Sequence, residues 1–375
     1  MKDLNKLALI SAFRALGGSL TWPFIGFALY KVYRFSLTFV SEFYLIQAII
    51  TVFASLIGGI LTDRVGRRKS LILSVVISSL SLFMASLTDL PGLVASLILL
   101  QTFFNTVYNV SVTSLIGDIY KGVRDLVKAF SRQRVGINAG WAFGPLIGGY
   151  VFTFYGFKTL LLMSSMLILL PLPLLYLLPE FKGERSKLTI TKDFALFLIP
   201  SFFTFAIMGQ LGFSLLTYYN ALLDFSAFQV GILFAINGLL IVALQDYVGK
   251  VIGNRVKLIV LGMIIYGIGY FAVAFVTTFI YAALDIVVVT FAEMVVSPLS
   301  QTIVNVLADQ RSRGRQVGLY NMVTSVGRIL GSSISSELMT YYLYTPTILW
   351  GVISSFGFIS AVLYYIILNM HKNIV

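Results

Sequence analysis

Apolar runs of membrane-spanning length follow one another along this 375-residue chain, with only short polar breaks between them. A helix needs about 20 predominantly apolar residues to cross the hydrocarbon of a bilayer. Twelve segments meet that length, at 7–31, 37–61, 69–88, 91–117, 131–155, 158–178, 193–219, 226–247, 256–276, 279–307, 315–341 and 346–369. Only 11% of the residues are charged, well below the roughly one quarter of a soluble domain, so lipid must be the solvent for most of the surface. The expectation is an all-α membrane protein of twelve transmembrane helices. The first run is too long for the apolar core of a cleavable leader, so it is expected to stay as the first helix.

The charges are sorted along the chain. With both termini placed inside, the inner segments hold 22 of the 27 basic residues, and the outer loops hold only Lys31, Arg34 and Lys158. Cytoplasmic loops carry such an excess of Lys and Arg, so the bias sets the orientation and favours an even number of spans. It also explains the formal net charge of +12 without nucleic acid, which is not an expected partner. Tyr30, Tyr33, Tyr218, Tyr219, Tyr341, Tyr342 and Tyr344 gather at the outer ends, as an interfacial aromatic belt does. The chain has no cysteine and a single histidine, His371, in its tail. Thiolate chemistry is excluded, and neither a metal centre nor a cofactor is expected.

Residues 58–70 read Gly-Gly-Ile-Leu-Thr-Asp-Arg-Val-Gly-Arg-Arg-Lys-Ser, a cationic tight loop between the second and third spans. Gly59 and Gly66 allow a turn or a close backbone approach. Asp63 is an acid placed where helix ends offer free N–H groups. The fifth span carries Gly140-x-x-x-Gly144-Pro145-x-x-Gly148-Gly149. Small residues at every fourth position cut a groove in which a partner helix packs closely, and Pro145 is expected to kink the helix. An offset of 187 residues carries Gly66 onto Gly253, Gly140 onto Gly327, Gly144 onto Gly331, and the start of the first span onto that of the seventh. The halves 1–179 and 193–375 thus read as two six-helix bundles joined by a polar linker, 180–192. The second copy of the loop is degraded, with Lys250 where Asp63 would stand and Asn254 in place of Arg67.

The string Gly59-x-Leu61-x-Asp63-Arg64-x-Gly66-Arg67-Arg68-Lys69 resembles the loop 2–3 signature of the major facilitator superfamily, and the fifth-span glycines resemble a motif of its drug–proton antiporter-type exporters. The resemblance implies two parallel bundles related by a pseudo-two-fold axis along the membrane normal, and transport by alternating access. It implies a cytoplasmic latch of Gly59, Asp63, Arg64, Gly66, Arg67 and Arg68 with Asp118 at the end of the fourth helix; plain topology anchoring is the alternative. It also implies that the fourth and tenth helices line the cavity. One departure stands out. Proton-linked members often carry an arginine on the fourth helix, and here Gln101-Thr102-Phe103-Phe104-Asn105 occupies that place.

Polar residues inside spans are costly and face inward. Gln101, Asn105 and Asn109 stand four apart on the fourth span, followed by Thr113; Asp285, Glu293, Ser297, Gln301 and Asn305 recur in steps of four or eight on the tenth. They read as cavity lining or as glue between helices. Gln210, Ser214, Thr217 and Asn237 are further candidates for the same wall. Glu293 and Arg328 sit at mid-span, as an ion pair or with Glu293 as proton carrier. Asp285 and Glu42 are the runners-up for proton coupling, and Glu337 reads as interfacial. Arg14 either snorkels to the inner surface or faces the cavity.

The leading functional expectation is proton-coupled efflux of a small, partly apolar solute by a monomer in the cell membrane. An importer or facilitator of a polar metabolite is the alternative. A membrane-embedded enzyme is disfavoured, since no nucleophile or acid–base cluster stands near an interface. A scaffold without transport would need a soluble domain, and no segment is long enough for one.

Overall fold

The computed structural model describes residues 2–183, 190–211, 214–225 and 227–370. The middle of the expected linker, 184–189, and the tail with His371 lie outside them. The helices are α1 (Lys2–Thr21), α2 (Ile25–Lys31), α3 (Leu37–Val65), α4 (Arg67–Leu87), α5 (Pro91–Ile119), α6 (Val123–Leu169) and α7 (Leu172–Tyr176), followed by α8 (Lys192–Met208), α9 (Ser214–Leu223), α10 (Ala227–Ile252), α11 (Leu258–Ala272), α12 (Phe279–Leu307), α13 (Arg313–Tyr342) and α14 (Pro346–Met370). Among the described residues there is no strand.

The boundaries follow local chemistry. Ser36 accepts the Phe39 N–H at the start of α3, and Thr191 and Thr278 do the same for α8 and α12. Pro91 opens α5, where its missing N–H would have had no partner. Gly66 separates α3 from α4 with φ 114°, a conformation that an L side chain resists.

Nine helical stretches among the described residues are long and apolar enough to cross a membrane. One of them, Val123–Tyr176, contains two expected spans. The first span is interrupted by the 3₁₀ turn Trp22–Phe24 around Pro23, and α13 carries its charges among glycines and serines. The figure is therefore consistent with twelve crossings. Pro145 lies within α6 on helical backbone; the break comes instead at Gly156, whose φ 81° and ψ 170° are open in practice only to glycine.

The chain forms two compact units. Unit 1 comprises residues 1–120, 132–188 and 309–322; unit 2 comprises 121–131, 189–308 and 323–375. Each unit thus includes a short segment from the other half of the sequence, and the 187-residue offset carries 121–131 onto 308–318.

Within unit 1 the glycine stripe of α6 receives α1. A Cβ at Gly140 would meet Ala12, Ala15 and Leu16, one at Gly144 would strike Ser19, and one at Gly148 would strike Leu20 and Phe24. Gly149 is in ordinary contact with Phe24, while Gly136, one turn earlier, abuts Ala8 and extends the stripe. Within unit 2, Gly327 and Gly331 of α13 abut Phe202 and Ala206 of α8. The offset maps not only the glycines but also their partners, Ala15 onto Phe202 and Ser19 onto Ala206. Close backbone approach yields dispersion contact that lipid cannot replace, which is how helices associate in a solvent as apolar as themselves.

Candidate functional site

Three polar clusters interrupt this apolar packing. The first belongs to unit 1, at the α3–α4 turn. The Asp63 carboxylate accepts four hydrogen bonds: from Arg67 Nη1 at 2.8 Å, from the backbone N–H groups of Gly314 and Arg315 at 2.9 and 3.0 Å, and from Arg315 Nε at 2.9 Å. The helix terminus that Asp63 meets is therefore that of α13, where free N–H groups and the macrodipole both favour an anion. Asp118, at the end of α5, accepts from Arg67 Nε at 2.9 Å and from Arg313 Nη1. Arg313 also donates to the Gly117 carbonyl at 2.6 Å. Burial draws the Arg313 guanidinium down from its ordinary value, and Asp118 works against that.

Gly59 is part of the same construction, because a Cβ there would strike the backbone of Gly314 and Arg315. Arg67 is wholly buried, and Asp63 and Asp118 are nearly so. Exposed ion pairs contribute about 0–1 kcal/mol, but removing one member of a buried pair costs about 3–5 kcal/mol, so this network lies in the second regime.

Of the predicted latch residues, Asp63, Arg67, Asp118 and Gly59 come together. Arg64 is exposed and stands outside the network. Arg68 turns to the carbonyls of Tyr176 and Leu178 and lies 3.8 Å from Glu180. Glu180 accepts the Arg68 and Lys69 N–H groups at the start of α4, beside Gly66. Sequence reading passed over Glu180, Arg313, Gly314 and Arg315. The one available signal was a second glycine between arginines, directly before a span.

The second cluster is also in unit 1. Arg14 does not snorkel; it is 5% exposed and turns to α5. Its Nη2 donates to Asn105 Oδ1 at 2.6 Å, and its guanidinium lies 4.5 Å from the centroid of the Tyr108 ring. Nε and Nη1 have no hydrogen-bond partner among the described residues. A desolvated cation–π contact supplies about 2 kcal/mol, whereas a charge removed from water costs several. The surroundings therefore under-compensate this cation. Along the same face of α5, Gln101 and Asn105 are half-buried and Asn109 is exposed.

The third cluster lies in unit 2, on α12. Asp285 is 6% exposed, and among the described residues neither carboxylate oxygen has a hydrogen-bond partner. Two turns on, Glu293 accepts from Asn237 Nδ2 at 3.0 Å, and the same amide donates to Thr290 at 2.9 Å. The Tyr270 ring stands within electrostatic reach of both acids and stacks 6.1 Å from Trp350.

The remaining predicted residues disperse. Gln210 is fully buried between α8 and α13, donating to the Ala206 carbonyl at 2.7 Å and accepting from Ser335 at 2.5 Å; it is glue rather than cavity wall. Arg328 is exposed, with its guanidinium 5.4 Å from the Phe205 ring. Gln301 is half-buried on α12, and its backbone carbonyl accepts from the Asn305 side-chain amide at 2.8 Å. Ser214 is fully buried, while the Thr217 side chain lies outside the described set. Glu42 and Glu337 are exposed. Among the described residues no group of histidine, cysteine and acidic side chains is arranged to hold a metal.

A sequence model described as Major Facilitator Superfamily matches residues 7–332. An uncharacterized MFS-type transporter of Bacillus subtilis, YttB, is 26% identical over 90% of this chain and 88% of its own. A protein of Planococcus maritimus named a Na(+), Li(+), K(+)/H(+) antiporter is 23% identical over 92% of this chain and 91% of its own. The crystal structure of the human organic anion transporter MFSD10 superposes with a TM-score of 0.82 at 15% identity, covering 96% and 98% of the two chains, a likeness of fold alone.

Proposed function

Because this chain belongs to the major facilitator superfamily, and is thus an integral membrane transporter rather than an enzyme, we propose that it is a proton-coupled exporter of a small, partly apolar solute. The observation that carries the reading is Asp285, a buried intramembrane carboxyl for which no described residue supplies a hydrogen-bond donor. A salt-bridged acid keeps its charge; one without a partner is available to load and release a proton. Glu293, on the same helix and in hydrogen-bond contact with the Asn237 amide, is the second candidate carrier. The relative named as a cation/H(+) antiporter supports coupling to protons.

In this reading the Asp63–Arg67–Asp118 network with Arg313 and Arg315 is the latch of one state of an alternating-access cycle. It holds the first turn of α13 until the state changes. Gln101, Asn105 and Asn109 in unit 1 and Gln301 in unit 2 are candidates for solute contact, and the bias of basic residues supports a cytoplasmic position for both termini and the latch in the cell membrane. The protein works as a monomer.

The test is uphill movement of a fluorescent drug-like dye in proteoliposomes under an imposed pH gradient. Asp285→Asn and Glu293→Gln are expected to abolish uphill export while downhill exchange persists. Undiminished uphill export in both variants removes these acids from the mechanism. Transport indifferent to the gradient selects the facilitator of a polar metabolite, the reading that the exposed Asn109 amide favours.

A further inference from the structure

From the geometry around Arg14 we propose that unit 1 contains a binding site for the acid group of an organic anion, so that the exported solute is a partly apolar carboxylate or similar oxyanion. The proposal rests on the transporter reading above and names the substrate class it left open. Arg14 is a fixed positive charge removed from water, 5% exposed, with Nε and Nη1 both lacking a hydrogen-bond partner among the described residues. Among the described residues no carboxylate lies at ion-pair distance from it, and the neutral Tyr108 ring is the group its guanidinium lies over.

A guanidinium presents its N–H groups in a planar fork that matches a carboxylate bidentately. Here one N–H of Nη2 is fixed at 2.6 Å by the Asn105 carbonyl, which orients the group; the second Nη2 N–H and whichever of Nε and Nη1 adjoins it, neither of which has a partner among the described residues, form the bidentate edge. Tyr108 stacks beneath the guanidinium at 4.5 Å, with the Ser11 hydroxyl beside its own. Asn105 is only half-buried, and Asn109, one turn away on the same face, is exposed, so the polar stripe leads from the surface to Arg14. A structural arginine in this setting would be matched by an acid of the protein. An arginine left unmatched at the end of a polar stripe is matched by its ligand.

The test reads binding without transport, as a thermal shift of the purified full chain in detergent. The probes are sodium benzoate, its uncharged isostere benzamide, and sodium chloride at equal concentration. Benzoate is expected to raise the unfolding temperature where benzamide and chloride do not, because an anion that binds only the folded state stabilises it. Arg14→Gln is expected to abolish the benzoate shift and Arg14→Lys to retain part of it. Asn105→Asp guards against misfolding: it supplies an internal carboxylate to Arg14, and is expected to raise the unfolding temperature without ligand while cancelling the benzoate response.

Equal shifts with benzoate and benzamide, or a benzoate shift that survives Arg14→Gln or Asn105→Asp, overturn the site. A chloride shift equal to that of benzoate overturns the organic-acid assignment. Proton-driven export of the dye that continues without any benzoate shift overturns this proposal and leaves the transporter reading standing.

Discussion

Two segments related by the 187-residue offset are received by the two units in different ways. In unit 1 the visiting segment is 309–322, and its Arg313, Gly314 and Arg315 meet two buried aspartates at the α3–α4 turn. In unit 2 the visiting segment is 121–131, where Leu126, Val127, Ala129 and Phe130 are buried and Lys121, Arg124 and Lys128 are exposed. Gly249 leaves room for Ser131 there, and no acid stands at the place of Asp63, because Lys250 occupies it. The scaffold is duplicated; the chemistry placed on it is not.

The interiors diverge in the same way. Unit 1 holds a cation, Arg14, and unit 2 holds the acids Asp285 and Glu293; the offset relates Arg14 to Ser201, Asp285 to Ile98 and Glu293 to Thr106. Packing constrains both copies alike, since each seam needs a small residue where backbones touch. Function constrains only the copy in which a charge acts.

The largest effect that separates the two turns is expected at Asp63. Asp63→Asn removes the carboxylate that accepts from Arg315 and from the Gly314 and Arg315 N–H groups and weakens the anchor of the α13 terminus, at a cost of about 3–5 kcal/mol. A thermal-unfolding shift of several degrees checks this, and a near-wild-type midpoint would reduce the network to surface decoration. The two seams should break alike. Gly144→Val drives a side chain into Ser19 and Gly331→Val drives one into the Ala206 backbone, each costing about 1–3 kcal/mol. If only one of the pair loses stability in denaturation of the reconstituted protein, the seams are not equivalent. The smallest effect belongs to Lys250→Ala at the exposed end of α10, which should lie within about 0.5 kcal/mol of wild type. A loss comparable to that of Asp63→Asn would reveal a second latch and cancel the asymmetry.

Much of the scaffold was legible in the residues. The expected runs fall on helical stretches, although the first, sixth and seventh are each divided between elements, and α6 begins at Val123 and turns at Gly156 rather than bending at Pro145. Of the predicted latch, Asp63, Gly59, Arg67 and Asp118 assemble, whereas Arg64 and Arg68 do not, because α3 directs Arg64 outward and Glu180 engages Arg68. Gln210 and Arg14 show the limit of a periodic pattern. Both are polar residues on apolar helices, yet one is fully used between helices and the other keeps two donors open. Spacing reports which face a residue shares, not what stands opposite.

The sequence by itself determined the helices, their ends and the glycine positions at which neighbours approach, because a backbone in lipid must satisfy its hydrogen bonds locally and these features depend on nearby residues. Tertiary structure alone decided which charges meet and which are left unmatched. Asp63 finds its partners 251 and 252 residues away, and Arg14 finds its own 91 residues away. A buried charge is governed by what packing brings within a few ångströms, and packing is a property of the assembled chain.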